Sequence, residues 1–120
     1  MDKISKNFRR SEFACKCGCG FDTVDVELLR ILQKVRDHFK TTVKINSGCR
    51  CIEHNRREGG LPGSRHLIGK AADIYVKNHD PKKVMSYLTS IVSEKHCGLG
   101  LYETFVHIDV RGTRARWDGR

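Results

Sequence analysis

Between Phe105 and Val110 apolar and ionisable side chains alternate: Val106, Ile108 and Val110 on one parity, Phe105, His107 and Asp109 on the other. A repeat of two is the signature of a strand whose faces differ. Three branched aliphatics on one face belong against a core. The opposite face then carries a histidine and an aspartate together, which is where a site would lie. Whatever else the chain does, it must build a sheet that offers this strand one dry face and one polar face.

The other segments supply what such a sheet packs against. From Asp25 to Phe39 the apolar positions Val26, Leu28, Leu29, Leu32, Val35 and Phe39 recur at helical spacing. Thr42-Val-Lys-Ile-Asn46 alternates and reads as a strand running into Ser47-Gly48. Residues 49–65 read as a long polar, glycine-bearing loop ending in Leu61-Pro-Gly-Ser-Arg65, and long loops in compact domains are often functional. A short helical or turn segment is expected after His66, and then a strand, Ala71–Val76. Asp80-Pro81 opens a second helix, with the aspartate capping and proline in the first turn; Val84, Leu88, Ile91 and Val92 are its apolar face. Cys97–Tyr102 reads as a strand joined by a turn to Phe105–Val110. Near the N-terminus, Ser11 followed by Glu12 is expected to cap a short helical turn. The expectation is an α+β fold, with helices packed on a small central antiparallel or mixed sheet. At 120 residues it forms one domain, residues 1–120, with the Cys-rich segment 1–22 packed on it.

Composition narrows the function classes. No apolar run approaches the ~18–20 residues of a membrane span. The first residues lack the apolar stretch of a secretory signal, so synthesis in the cytoplasm is expected. The formal charge of +9 favours anionic partners such as nucleic acid, an anionic membrane or an acidic polymer like a bacterial cell wall. The charge is dispersed, without a helix-turn-helix signature or an aromatic-interleaved basic stripe, so no specific nucleic acid is expected. Six cysteines fall as Cys15, Cys17 and Cys19, then Cys49 and Cys51, then Cys97, a spacing unlike the paired C-x-x-C of zinc ribbons. Three readings of them stay open: reduced buried thiols, disulfides formed after export, or a second, structural zinc.

Candidate chemistry concentrates in Ser64-Arg-His-Leu-Ile-Gly-Lys-Ala-Ala-Asp73, where small residues between His66 and Asp73 let a loop fold back on a strand so that two ligands converge. Ser64-x-His66-x-x-Gly69-x-Ala71-x-Asp73, followed by His107-x-Asp109, resembles the motif pair of metallopeptidase family fifteen, the zinc D-Ala-D-Ala carboxypeptidases and related phage and bacterial endopeptidases. The resemblance extends to Ile45-Asn-Ser-Gly-Cys-Arg50 with His54-Asn55, and to Arg111-Gly-x-Arg114-Ala-Arg116-Trp117. It is closest to the short single-domain forms of phages and prophages, and it implies a hedgehog-like, D-Ala-D-Ala-peptidase-like fold.

Carried over residue by residue, the resemblance implies that His66, Asp73 and His107 bind Zn2+ and leave a fourth position open, the pattern of a catalytic zinc. It implies a carbonyl-polarising or substrate-holding role for Arg50 and a substrate-side role for Ser64. Several relatives place a carboxylate three residues before the last metal histidine, a position held here by Thr104. Glu103 is therefore the first choice as general base and Asp109 the second. Asp109 could instead orient a ligand, or replace His107 as the third, because some relatives carry His-x-His and use the second histidine; His-Asp-His suits zinc better than His-Asp-Asp. His54 is expected to line the cleft without binding metal.

What the resemblance implies is hydrolysis of a peptide bond in the peptidoglycan stem by a monomer that reaches the wall through phage-type release or virion delivery. Two readings compete. One is a zinc-containing, non-catalytic wall-binding module on the same scaffold. The other is a nucleic-acid-binding protein with a Cys-rich zinc knuckle.

Overall fold

The computed structural model describes residues 2–60, 63–92 and 97–120. Leu61 and Pro62 of the expected loop, and His96 beside the second helix, lie outside them.

Among the described residues, seven strands and three α-helices make an α+β fold. Strands β1 (Lys3–Ser5) and β2 (Phe8–Arg9) form a small antiparallel hairpin. A 3-10 turn follows at Arg10–Phe13. Ser11 does not cap it: the Arg9 N–H donates to the Glu12 carboxylate at 2.7 Å, while the Ser11 hydroxyl bonds to Asp2. Phe8 and Phe13, ring centroids 5.9 Å apart, are both buried, so the N-terminal segment is anchored in the core.

Helix α1 (Val26–Phe39) starts where the Asp25 carboxylate accepts from the backbone of Glu27 and Leu28, at 2.8 and 3.2 Å. Such a cap is worth about 1 kcal/mol. The helix buries Leu28, Ile31, Leu32 and Val35, at roughly 1.5–3 kcal/mol per side chain. It ends at Lys40 in the left-handed region, whose N–H closes on the Arg36 carbonyl. Val26, though periodic, is exposed.

The main sheet combines β3 (Val43–Ser47), β4 (Ala71–Val76), β5 (Cys97–Leu101), β6 (Val106–Val110) and β7 (Ala115–Asp118), in the order β3-β4-β6-β5-β7. All neighbours are antiparallel except β5 and β7, which run parallel. Helix α3 (Pro81–Val92) begins as the Asp80 side chain accepts from the Lys82 N–H at 2.8 Å. Its Val84, Leu88 and Val92 join Leu28, Leu32 and Val35 of α1 in one core against Ala72, Ile74, Val76, Leu99, Val106 and Ile108. Both long helices thus cover a single face of the sheet. Alternation sends Asp73, Gly98, Gly100, His107 and Asp109 to the other face.

Two elements depart from the sequence expectation. Within the expected loop 49–65 sits a helix, α2 (Ile52–Arg57). It is short, its apolar Ile52 is exposed and its buried residue is the polar Asn55, so it lacks an apolar stripe. Its cap is the thiol of Cys51, which accepts from the His54 N–H at 3.4 Å. Strand β7, Ala-Arg-Trp-Asp, is half-buried along most of its length and shows no alternation to read.

Candidate metal centre

The site is assembled by register. In the antiparallel pair β4–β6, Asp73 lies opposite His107 and Ala71 opposite Asp109. The 3-10 turn Arg65–Ile68 precedes β4 and brings in His66 from the side. Ser64 caps that turn, its hydroxyl accepting from the His66 N–H at 3.2 Å, and Gly69 closes it.

His66, Asp73 and His107 each offer one ligand atom, and these atoms lie within 4.8 Å of one another. His66 Nε2 is 3.5 Å and His107 Nδ1 2.8 Å from the same carboxylate oxygen, Asp73 Oδ1. The remaining ring nitrogens are committed elsewhere. His66 Nδ1 donates to the Gly48 carbonyl at 2.5 Å, and His107 Nε2 donates to Asp109 Oδ2 at 2.8 Å. Metal-binding histidines typically have this arrangement, one nitrogen free to ligate and the other donating to a carbonyl or carboxylate that fixes ring and tautomer. The residues therefore fit a divalent metal on two imidazoles and one carboxylate.

Electrostatics agrees. Burial works against the Asp73 carboxylate, but the hydrogen bonds and charges of His107 and His66 outweigh it and hold its pKa well below the usual range. Burial disfavours charge on His107 too, yet Asp109 and Asp73 on either side raise its pKa above that of a free histidine. The environment between these carboxylates favours a cation.

Asp109 is fully buried and fully engaged. Arg111 grips it with two bonds of 2.7 Å, Nε to Oδ1 and Nη2 to Oδ2. Burial again opposes the charge, while Arg111 and then His107 draw the Asp109 pKa far down. Among the expected site residues, then, His66, Asp73 and His107 converge, and Asp109 stands behind His107.

Arg50 reaches the same cleft, with Nη2 3.6 Å from Asp73 Oδ2. Its guanidinium is steered by Asn55 Oδ1 at 2.9 Å and Ser47 Oγ at 3.2 Å. Ser64 lines the cleft as well, with Arg65, Tyr102, Arg111 and Trp117, around a volume of about 380 Å³. Glu103 does not: it is exposed in the bend between β5 and β6, and the charge it influences is that of Arg120. His54 does not line the cleft either, and His38 and His79 pack with Phe39 and Tyr87 away from it.

Several residues here had no assigned part in the sequence reading. Asn55 holds Arg50. Trp117 lies beside His107 at 5.2 Å between centroids, donates to the Tyr102 hydroxyl at 2.9 Å and has the Arg111 guanidinium over its ring at 5.4 Å. Extending the period-two pattern from His107 and Asp109 by one step reaches Arg111, so that residue was there to be found. Gly98 and Gly100 oppose Asp109 and His107 in β5. A Cβ at Gly98 would fall 2.7 Å from both Arg111 Nε and Asp109 Oδ1, and one at Gly100 would strike Trp117. Gly98→Ala is expected to push the Asp109–Arg111 pair off His107, at a cost of about 1–3 kcal/mol, read as a lower melting temperature together with weaker metal binding.

No curated protein matches the chain significantly. The sequence profile described as Peptidase M15 matches residues 6–109, a stretch that contains every residue of the metal-ligand set, and the chain belongs to that family of metallopeptidases.

Proposed function

We propose that this protein is a zinc peptidase that hydrolyses a peptide bond of the peptidoglycan stem, as a D-Ala-D-Ala carboxypeptidase or an L,D-type endopeptidase. The observation that carries the reading is the convergence of His66 Nε2, Asp73 Oδ1 and His107 Nδ1, each imidazole braced by a partner on its other nitrogen. Zinc in such a site supplies Lewis acidity, turning water into a nucleophile near neutral pH and polarising the scissile carbonyl. The chain's own groups bind and orient. Arg50, Arg65 and Arg111 give the cleft positive charge suited to the carboxylates of a stem peptide. Arg50, pre-aimed by Asn55, is placed to hold a substrate carboxylate or the negative charge that develops on the carbonyl oxygen. Trp117 and Tyr102, joined by a hydrogen bond from the indole N–H to the Tyr102 hydroxyl, line the cleft with aromatic surface. The net charge of +9 favours approach to an anionic wall, reached by phage-type release or virion delivery.

As general base, Asp109 is the carboxylate that lines the cleft behind His107, whereas Glu103 reaches it only if the bend before β6 folds inward. Because both Asp109 oxygens are bonded to Arg111, a second reading has support: a zinc-containing wall-binding module without turnover. Incubating the zinc-loaded protein with defined muropeptides separates the two. Release of D-Ala identifies the carboxypeptidase, new internal amino groups identify the endopeptidase, and binding without either product sinks the hydrolytic reading. Arg50→Ala is expected to lower kcat/KM by about 10–100-fold, the loss of one charge-assisted contact of ~1.5–3 kcal/mol, with metal content unchanged.

A further inference from the structure

The chemistry above uses none of the six cysteines. The fold divides them. Cys49 is buried and donates to the Phe21 carbonyl at 2.9 Å, and Cys97 is part of the core. The other four, Cys15, Cys17, Cys19 and Cys51, come together, with sulfurs within 4.8 Å of one another. Cys15 and Cys17 are 3.3 Å apart, Cys17 and Cys51 3.7 Å, and Cys15 and Cys51 3.9 Å.

We infer that Cys15, Cys17, Cys19 and Cys51 form a second metal site, a structural Zn(Cys)4 centre separate from the histidine site. Four sulfurs held about 2.3 Å from a tetrahedral zinc lie about 3.8 Å from each other, and the observed separations bracket that value. All four sulfurs lie within 4.8 Å of one another, and all four cysteines are free rather than joined as disulfides. Local backbone explains how a C-x-C-x-C run achieves this. Gly18 and Gly20 take φ of +83° and +93°, a region that side chains avoid, and so turn the chain sharply between and after the cysteines. The loop is closed by the Cys15 N–H on the Phe21 carbonyl at 2.7 Å. Backbone N–H groups also point at the sulfurs: Cys51 N donates to Cys15 Sγ and His54 N to Cys51 Sγ, both at 3.4 Å. Such donors offset the charge of metal-bound thiolates.

Its place in the fold gives the centre a role. Three ligands come from the N-terminal segment, and the fourth, Cys51, caps α2 and adjoins Arg50. Cys49 N also bonds to the Phe13 carbonyl at 2.9 Å, so the two segments already touch. Zinc here clamps the N-terminal segment to the loop that carries Arg50 and to the helix that carries Asn55. It positions the Arg50–Asn55 pair without touching substrate.

Metal analysis of the full chain, purified under reducing conditions with zinc, tests this. Wild type is expected to hold about two zinc ions per chain. The His66→Ala/His107→Ala double variant is expected to keep about one, and after exchange to cobalt(II) that ion should show a thiolate-to-metal charge-transfer band. In wild type, a thiol-capping mercurial should release one equivalent, a readout that needs no variant to fold. One zinc per chain that disappears with the histidines would overturn the inference. So would iron in place of zinc, a cobalt spectrum without the thiolate band, or a disulfide among these four residues. The centre does not depend on the proposed hydrolysis. Muropeptide cleavage without thiolate-bound metal refutes the centre alone, and a thiolate-bound metal without cleavage refutes the hydrolysis alone.

Discussion

Replacing His66 with alanine is expected to bring peptide hydrolysis to background and to empty the histidine metal site while the fold stays intact. The reasoning is geometric. His66 supplies one of two imidazoles, and its ring lies in place because Gly48 accepts from Nδ1 while Nε2 faces Asp73 Oδ1. Without it, Asp73 and His107 are left, too few protein ligands for a site that ordinarily has three. His66 comes from a 3-10 turn rather than from the helix–sheet core, so its loss leaves the apolar packing of α1 and α3 untouched. The expected result is a circular-dichroism spectrum like that of wild type, zinc content reduced by about one ion per chain, and no product from muropeptides. Wild-type zinc content and turnover in His66→Ala would refute the ligand set.

How far the sequence disclosed this site depends on the kind of signal each residue leaves. Strand β6 declared itself because its core face and its site face both alternate, and that alternation alone put His107 and Asp109 on one side. Helices α1 and α3 were legible from spacing plus caps, Asp25 and Asp80 being side chains whose capping role depends only on near neighbours. Helix α2 was not, since its cap is a thiol rather than one of the usual capping side chains, and its buried residue is a polar asparagine whose partner is Arg50. The same holds for the division of cysteines. Cys51 is 36 residues from Cys15, and no local pattern says that it, rather than Cys49, completes the cluster. Glu103 shows a different dependence: nearness in sequence to His107 suggested a base, and the bend before β6 places that side chain in solvent, a placement set by turn geometry that no spacing reveals. Gly98 and Gly100 carried a readable signal, a strand whose site face has no side chains, yet its meaning needed the register with Asp109 and His107.

Asp109→Asn is the substitution that separates orientation from proton transfer. The carboxylate is buried, accepts twice from Arg111 and once from His107, and faces no bulk water. The amide is nearly isosteric but neutral, and whichever end carries the NH2 group now points a donor at a donor. Breaking a buried ion pair typically costs 3–5 kcal/mol. Arg111 keeps partial solvent contact and can recover some hydration, so a loss of about 2–3 kcal/mol is expected here. For a chain of this size that lowers the melting temperature by roughly 10 °C. His107 also loses the partner that fixes its tautomer, which should weaken zinc binding by about 10–100-fold. The decisive measurement is kcat at saturating zinc. If Asp109 only orients His107, excess metal restores most of the rate, because the ligand is still present and only its preference has been lost. If Asp109 accepts a proton during hydrolysis, the zinc-loaded variant stays inactive although its metal content matches wild type. Glu103→Gln, measured alongside, is expected to keep near-wild-type turnover, since the exposed bend gives that carboxylate no contact with the cleft. A large loss in Glu103→Gln with zinc retained would show that the bend closes over the site during the reaction.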